Sequence, residues 1–96
     1  MSSADDTITF NVSGTITLYL SQLPNIVSGQ GTLTINGGSA VTISGNNNYR
    51  VLQVNSGATL TLQNLTIANG RAIGVGAGVL NDGTLTVTNS TFSGNS

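Results

Sequence analysis

Cysteine and charge are the features that this 96-residue sequence most lacks. It has no cysteine, so it contains no disulfide and offers no thiolate to a metal, and this absence fits an exported bacterial protein as well as a cytosolic one. Charged residues make up 5% of the chain, far below the roughly 25% of an ordinary soluble domain, and the net charge is −1. Without a basic patch, nucleic-acid binding has no electrostatic basis.

Long apolar runs are missing as well. The sequence has no stretch of membrane-spanning length and no polybasic segment, so we expect no membrane insertion. Its start, Met1 to Asp6, lacks the positive and apolar regions of a signal peptide.

Groups that perform acid–base or nucleophilic chemistry are scarce. The chain has no Glu, His or Lys, and its ionisable acids are Asp5, Asp6 and Asp82. Ser and Thr abound, but no His or Lys is present to activate a nucleophile, and Asp82 beside Gly83 is typical of a turn. The glycine-rich stretch from Gly70 to Gly78 lacks the Lys-Ser/Thr ending of a phosphate loop. We therefore predict no enzyme activity, no cofactor and no metal site.

A strand pattern repeats with a period of roughly 25 residues. Thr59-Leu-Thr-Leu recurs as Thr84-Leu-Thr-Val and is preceded by Thr32-Leu-Thr-Ile. Alternation of Thr with an aliphatic residue predicts a strand with one buried face, and a fixed period of strands without helices indicates a solenoid. The predicted fold is all-β, a right-handed parallel β-helix of about three coils with three short strands each.

Aligned by this period, the aliphatic residues form three inward columns, named here after one member each. The Leu60 column contains Leu33, Ile35, Leu60, Leu62, Leu85 and Val87. The Leu65 column contains Val41, Ile43, Leu65, Ile67, Ser90 and Phe92. The Leu52 column contains Leu52 and Val54. We align Ile16 and Leu18 of the preceding turn with them, and Val79 and Leu80 of the following turn.

The single domain, 1–96, divides into three parts. Residues 1–6 are expected to form a loose tail, and residues 7–30 the N-terminal strands with a covering loop. That loop spans Ser21 to Gln30, with Leu23 and Ile26 tucked inward. Residues 31–96 are the regular coils.

Asparagine recurs at the predicted corners. Asn64 and Asn89 follow equivalent strands, and Asn55 and Asn81 are aligned one corner earlier. Their amides are suited to a hydrogen-bonded ladder along the axis, or Asn is there because it tolerates left-handed backbone geometry. The pattern predicts the corner role and leaves these two reasons open.

Several segments resemble the β-helix repeats of large bacterial surface and secreted proteins, the adhesin-like, polymorphic outer-membrane-protein type of the pectin-lyase-like superfamily. The segments are Asp6-Thr-Ile-Thr-Phe, Gly14-Thr-Ile-Thr-Leu, Leu23-Pro-Asn-Ile, Val41-Thr-Ile-Ser-Gly-Asn-Asn, Arg50-Val-Leu-Gln-Val-Asn-Ser-Gly-Ala-Thr-Leu-Thr-Leu, Leu65-Thr-Ile-Ala-Asn-Gly and Thr91-Phe-Ser-Gly-Asn-Ser. Phe92-Ser-Gly-Asn95 is similar to the Phe-x-x-Asn step of that group. Such regions usually have more coils and a preceding amphipathic cap, so we expect an excised or naturally minimal piece of a longer solenoid.

The resemblance implies a non-catalytic structural or adhesive module, extracellular or at the cell surface, with a glycan or host surface as ligand. No charged or proline-rich cap follows Phe92, so we expect a homo-oligomer through that coil end, either a two-fold dimer or a head-to-tail filament. A degenerate polysaccharide-binding relative of the β-helix lyases is a further alternative.

Ice binding is the alternative that the threonines suggest. One outward array is predicted from Thr32, Thr34, Thr59, Thr61, Thr84 and Thr86. Regular threonine rows on a β-solenoid resemble the ice-binding surfaces of some antifreeze proteins, although Thr also simply suits solvated strands.

Overall fold

The structure is a computed structural model that describes residues 5–10, 13–19, 21–23, 25–29, 31–74 and 76–96. Eight strands, and no helix, occur in these ranges. They are β1 (Asp6–Thr9), β2 (Gly14–Thr17), β3 (Thr32–Ser44), β4 (Leu52–Val54), β5 (Thr59–Ala68), β6 (Val79–Asn81), β7 (Thr84–Thr88) and β8 (Thr91–Ser93).

All the strand pairs in the described ranges are parallel, and they stack into a β-solenoid, which confirms the predicted fold class. On the Leu60 side the order is β1, the first half of β3, the first half of β5 and β7. On the Leu65 side it is β2, the second half of β3, the second half of β5 and β8. The Leu52 side pairs β4 with β6. The right-handed sense of the coil stays a prediction.

Long strands turn a corner without interruption. β3 bends between its two sides at a register shift between Asn36 and Val41, and β5 bends at Asn64, where φ is 56°. At Gly37, beside the first of these corners, an added Cβ would lie 2.6 Å from Cβ of Leu65, so only glycine fits there.

The predicted inward columns form the core. Leu33 pairs in register with Leu60 and Leu60 with Leu85, while Ile43 pairs with Ile67 and Ile67 with Phe92. Alternation along each strand sends these side chains to one face, and the four that belong to the two middle turns, Leu33, Leu60, Ile43 and Ile67, are buried. The fully buried side chains with the largest volumes are Leu52, Leu60, Leu62, Ile67, Val51 and Val54.

The expected loose tail is wrong for Asp5 and Asp6. Asp6 begins β1 and pairs with Leu33, and the Asp5 carboxylate accepts a 2.8 Å hydrogen bond from the backbone N–H of Thr32. Both aspartates are therefore part of the first turn. The remainder of the predicted tail, residues 1–4, lies outside the described residues.

The segment expected as a covering loop is instead part of the coil. Ile26 pairs in parallel with Val54, its N–H donates to the Gln53 carbonyl at 2.8 Å, and its carbonyl accepts from Asn55 N–H at 2.8 Å. Ile26 and Leu23 nevertheless point inward, as predicted. Ile26 is buried, and Leu23 is partly buried and packs against the core. This segment thus supplies the Leu52 side of the first turn; Pro24 and Gln30, also assigned to the loop, lie outside the described residues.

Two alignments in the Leu52 column are corrected as a result. Ile16 pairs with Ile43, and Leu18 N–H donates to the Ser44 carbonyl, so both belong to the Leu65 side. Leu52 pairs with Val79 as expected, but Val54 pairs with Asn81 rather than with Leu80. The structure therefore contains three complete turns and two sides of a fourth.

Candidate functional site

The predicted threonine array forms one continuous outer face on the Leu60 side. Its two columns are in strand register: Thr32, Thr59 and Thr84 in one, and Thr34, Thr61 and Thr86 in the other. Neighbouring strands of a sheet lie about 4.8 Å apart, and alternate residues of one strand about 6.6 Å apart. The array therefore presents hydroxyl and methyl groups on a regular two-dimensional grid.

Two extensions of this array were missed from the sequence. Thr7 pairs with Thr34 and so adds a fourth member to the second column. A separate column, Thr15, Thr42, Thr66 and Thr91, runs along the neighbouring Leu65 side. The sequence does contain a repeated Thr-Ile or Thr-Phe step at these positions. The threonines of this step align into columns only once β1 and β2 are assigned to the first turn.

Apolar side chains are left half-exposed at both ends of the solenoid. In the first turn Ile8 is 43% and Ile16 39% exposed, and in the last turn Val87 is 42% and Phe92 43% exposed. These residues belong to the same columns as the buried Ile35, Leu62, Ile43 and Ile67. Within the described residues, each end therefore presents incompletely covered core side chains beside strands that are paired along one edge.

The two ends differ in charge at one column position. Asp6 occupies the place in β1 that is held by Leu33, Leu60 and Leu85 in the following turns. Since Leu33 and Leu60 point inward, Asp6 lies on the core side of an edge strand, where charged residues commonly protect an edge from pairing. No charged side chain occurs from Gly83 to Ser96.

Both arginines line one open cleft of about 320 Å³, together with Tyr49 and Asn48. The Arg50 Nε donates to the Gly76 carbonyl at 2.9 Å. The Tyr49 hydroxyl donates to the Tyr19 carbonyl at 3.1 Å. Arg50 and Tyr49 thus tie turns together, and the exposed Arg71 is the cleft's remaining cation.

At the corners, Asn64 and Asn89 adopt positive φ values of 56° and 49°. One amide–amide hydrogen bond along the axis occurs in the described part of the chain, from Asn64 Nδ2 to Asn36 Oδ1 at 3.2 Å. It links Asn64 to Asn36 in the turn before it, whereas a ladder of the aligned corner residues would link Asn64 to Asn89. The predicted equivalence of Asn55 and Asn81 is wrong by one position, because Asn81 pairs with Val54.

Among the described residues, no group of three or more potential metal ligands is found. These residues also include no helix with the length and apolar character needed to cross a membrane. No protein-family model, curated protein or solved structure matches the chain.

Proposed function

We propose that the chain is a structural and adhesive β-solenoid module of a bacterial cell-surface or secreted protein, non-catalytic, which self-associates through its last turn. The observation that carries the proposal is the exposure of Val87 and Phe92, 42% and 43%, on the strands that end the stack. The same columns are closed to solvent in the middle turns, where Leu62 and Ile67 are each 0% exposed. A further layer of strands would remove these side chains from water and pair the free backbone groups.

The segments that resemble bacterial β-helix repeats support a cell-surface setting for this module. A sparsely charged outer surface of stacked strands is suited to a spacer or a contact surface, because the stability of the chain comes from contacts between neighbouring turns of the core.

Cell display tests this function. The chain is displayed on the surface of a bacterium that does not clump, with display levels matched by immunolabelling. We expect cells that display the native sequence to aggregate and cells that display Phe92→Asp to stay dispersed. Dispersed cells with the native sequence, together with a monomer in solution at millimolar concentration, would overturn the proposal.

Ice binding is a second candidate, favoured by the strand register of Thr32, Thr59 and Thr84 and of their neighbours two residues on. Each threonine offers a hydroxyl that both donates and accepts, and the stack repeats it at a fixed spacing on an uncharged face. Water ordered on such a grid is the physical basis for adsorption to ice.

Thermal hysteresis and ice recrystallisation distinguish this candidate. Thr61 is at the centre of the array, and Thr66 is an outward threonine of the same strand on the neighbouring side. If the array binds ice, Thr61→Lys should abolish the activity and Thr66→Lys should leave most of it. If the native chain shows neither thermal hysteresis nor inhibition of ice recrystallisation at high concentration, ice binding is excluded.

A further inference from the structure

We infer that the cleft lined by Tyr49 and Arg71 binds the terminal sugar of an acidic glycan, and that it holds this sugar by its carboxylate. This inference rests on the adhesive part of the proposed function and names the ligand. It follows from the place of the cleft on the solenoid, from the distribution of charge in the chain and from the groups that the cleft leaves available.

The cleft lies at the corner between the Leu65 and Leu52 sides, where three successive turns contribute to it. Residues 21–22 come from the first turn, residues 48–50 from the second and residues 71–73 from the third. Backbone pairing connects these layers, since the Arg71 N–H donates to the Tyr49 carbonyl at 2.9 Å. The stacked backbone of the solenoid therefore holds the lining residues in place relative to one another.

The charged side chains are divided between different corners of the solenoid. Both arginines line the cleft, and none of the three aspartates does. Asp82 lies between β6 and β7, at the corner between the Leu52 and Leu60 sides. Asp5 immediately precedes β1, and Asp6 begins that strand on the Leu60 side. The cleft thus brings together the two cations of a sparsely charged chain, and this favours an anionic ligand.

The two arginines have different roles in the cleft. The Arg50 Nε donates to the Gly76 carbonyl at 2.9 Å and its Nη1 to the Gln53 Oε1 at 3.4 Å, so Arg50 supplies a positive charge that is fixed in place. Arg71 is exposed, and within the described ranges no side chain or carbonyl bonds to its guanidinium. A planar guanidinium donates two parallel hydrogen bonds to one carboxylate, so Arg71 is the residue that grips the ligand.

The uncharged groups of the cleft suit the hydroxyls of a sugar. Asn48 is exposed and offers both a donor and an acceptor. The Gln22 Nε2 donates to the Asn25 Oδ1 at 2.8 Å, which leaves the Gln22 carbonyl oxygen as an acceptor. The volume of about 320 Å³ is at the lower end of the roughly 300–1,000 Å³ of small-molecule sites, so the cleft accommodates one sugar residue rather than a longer stretch of glycan.

Ala72 and Ile73 give the cleft an apolar wall. Ile73 is fully exposed, so its side chain contributes nothing to the core of the solenoid. Ligand sites combine apolar surface with a few polar groups that orient the ligand, and here the apolar surface lies next to the guanidinium of Arg71 in sequence and in the cleft. An acidic sugar with an acetamido group matches both features, because its carboxylate pairs with Arg71 and its methyl group packs on Ile73.

Two-dimensional NMR titrations of the soluble chain test this inference. The probes are sialyllactose, which ends in an acidic sugar with an acetamido group, glucuronic acid, lactose and acetate. We expect saturable shifts of the Asn48, Tyr49 and Arg71 amide signals with the two acidic sugars, and a dissociation constant for sialyllactose on the order of 1 mM. Lactose should leave these signals unchanged. Equal shifts with lactose, or acetate binding as tightly as sialyllactose, would overturn the inference.

Variants test the assigned contacts, with circular dichroism to verify folding. Arg71→Gln should raise the dissociation constant for sialyllactose by about tenfold or more. Thr86→Asp is the control, since it lowers the net charge by the same amount at an exposed position on the Leu60 side, and it should leave binding unchanged. An equal loss of binding in these two variants would show that net charge, and not the Arg71 guanidinium, attracts the ligand, and the inference would be wrong.

Ile73→Ser tests the apolar wall. It should weaken the binding of sialyllactose by about threefold and leave that of glucuronic acid, which lacks the acetamido group, unchanged. An equal effect on both sugars would contradict the contact between Ile73 and the methyl group.

Glycan binding and self-association are measured separately. Cells that display Arg71→Gln should still aggregate, and the Phe92→Asp chain should still bind sialyllactose. A native chain that aggregates cells but shows no saturable shifts with either acidic sugar would overturn the glycan site and leave the proposed self-association intact.

Discussion

Asn64 meets two demands at the corner between the Leu60 and Leu65 sides. Its backbone takes a φ of 56°, and its side-chain amide donates to Asn36 one turn earlier at 3.2 Å. The left-handed conformation costs most residues about 1–2 kcal/mol, and a hydrogen bond of this kind contributes about 0.5–1.5 kcal/mol. Asparagine serves both demands, whereas glycine serves the first alone and alanine neither.

Substitutions at Asn64 separate these contributions. Asn64→Gly should lower the free energy of unfolding by about 1 kcal/mol through loss of the hydrogen bond, and Asn64→Ala by about 2 kcal/mol because the corner is then strained as well. Urea denaturation at a concentration where the chain is monomeric measures both. If alanine were no worse than glycine, the corner geometry would not be what selects asparagine.

At the scale of single elements, the Leu52 side of the first turn differs most from its sequence-based prediction. The backbone groups of Ile26 bond to Gln53 and Asn55 at 2.8 Å each, as in a strand, although the segment lacks the Thr-aliphatic alternation of the other sides. Hydrogen exchange distinguishes a layer of the coil from a covering loop, because a layer exchanges only when the turn opens.

We expect the amide protons of Ile26 and Asn55 to exchange slowly in the native chain. The amide of Ile73, a fully exposed residue in the glycine-rich excursion, provides the fast reference. Two-dimensional NMR after transfer into deuterated water reports each amide separately. If the amide proton of Ile26 exchanged as fast as that of Ile73, the segment would be a covering loop rather than a layer of the coil.

The Leu60 and Leu65 columns could be predicted from the sequence because two periodicities coincide there. Alternation fixes which residues of a strand point inward, and the recurrence of Thr59-Leu-Thr-Leu at Thr84 fixes which strands stack. The outward threonines follow from the same two facts. The six threonines of the array were therefore predictable from the sequence, whereas Thr7 was missed because β1 was not assigned to the first turn.

The Leu52 side could not be predicted in the same way, because neither periodicity holds there. Its strands have three residues, and the loops that join them vary, so the separation between paired residues is 27 for Leu52 and Val79 but 28 for Ile26 and Val54. A shift of one residue in a strand exchanges its inward and outward faces. This explains the alignment of Asn55 with Asn81. Ile16 is misassigned for another reason: with Ile26 interpreted as part of a covering loop, the first turn has no other strand to align with Leu52.

At the scale of the whole molecule, stability should decrease from the middle turns towards the ends. Each turn contacts only its neighbours, so an inner leucine is covered on two sides and an outer one on a single side. Leu60 is 0% exposed between Leu33 and Leu85, whereas Leu85 itself is partly exposed on β7. The two residues have the same chemistry, column and strand position, so they differ only in their place along the stack.

A pair of alanine substitutions measures this decrease. Leu60→Ala should lower the free energy of unfolding by about 2–5 kcal/mol, because it leaves a cavity that two turns enclose, and Leu85→Ala by about half as much, because the outer turn can relax and its side chain was partly hydrated. Thr61→Ala, on the outward face of the same strand, is the control and should change it by less than about 1 kcal/mol. Denaturant titrations of dilute protein compare the three variants. Equal losses at Leu60 and Leu85 would show that the fourth turn is as firmly packed as the third, and the last turn would then lack the exposed apolar surface from which we infer association.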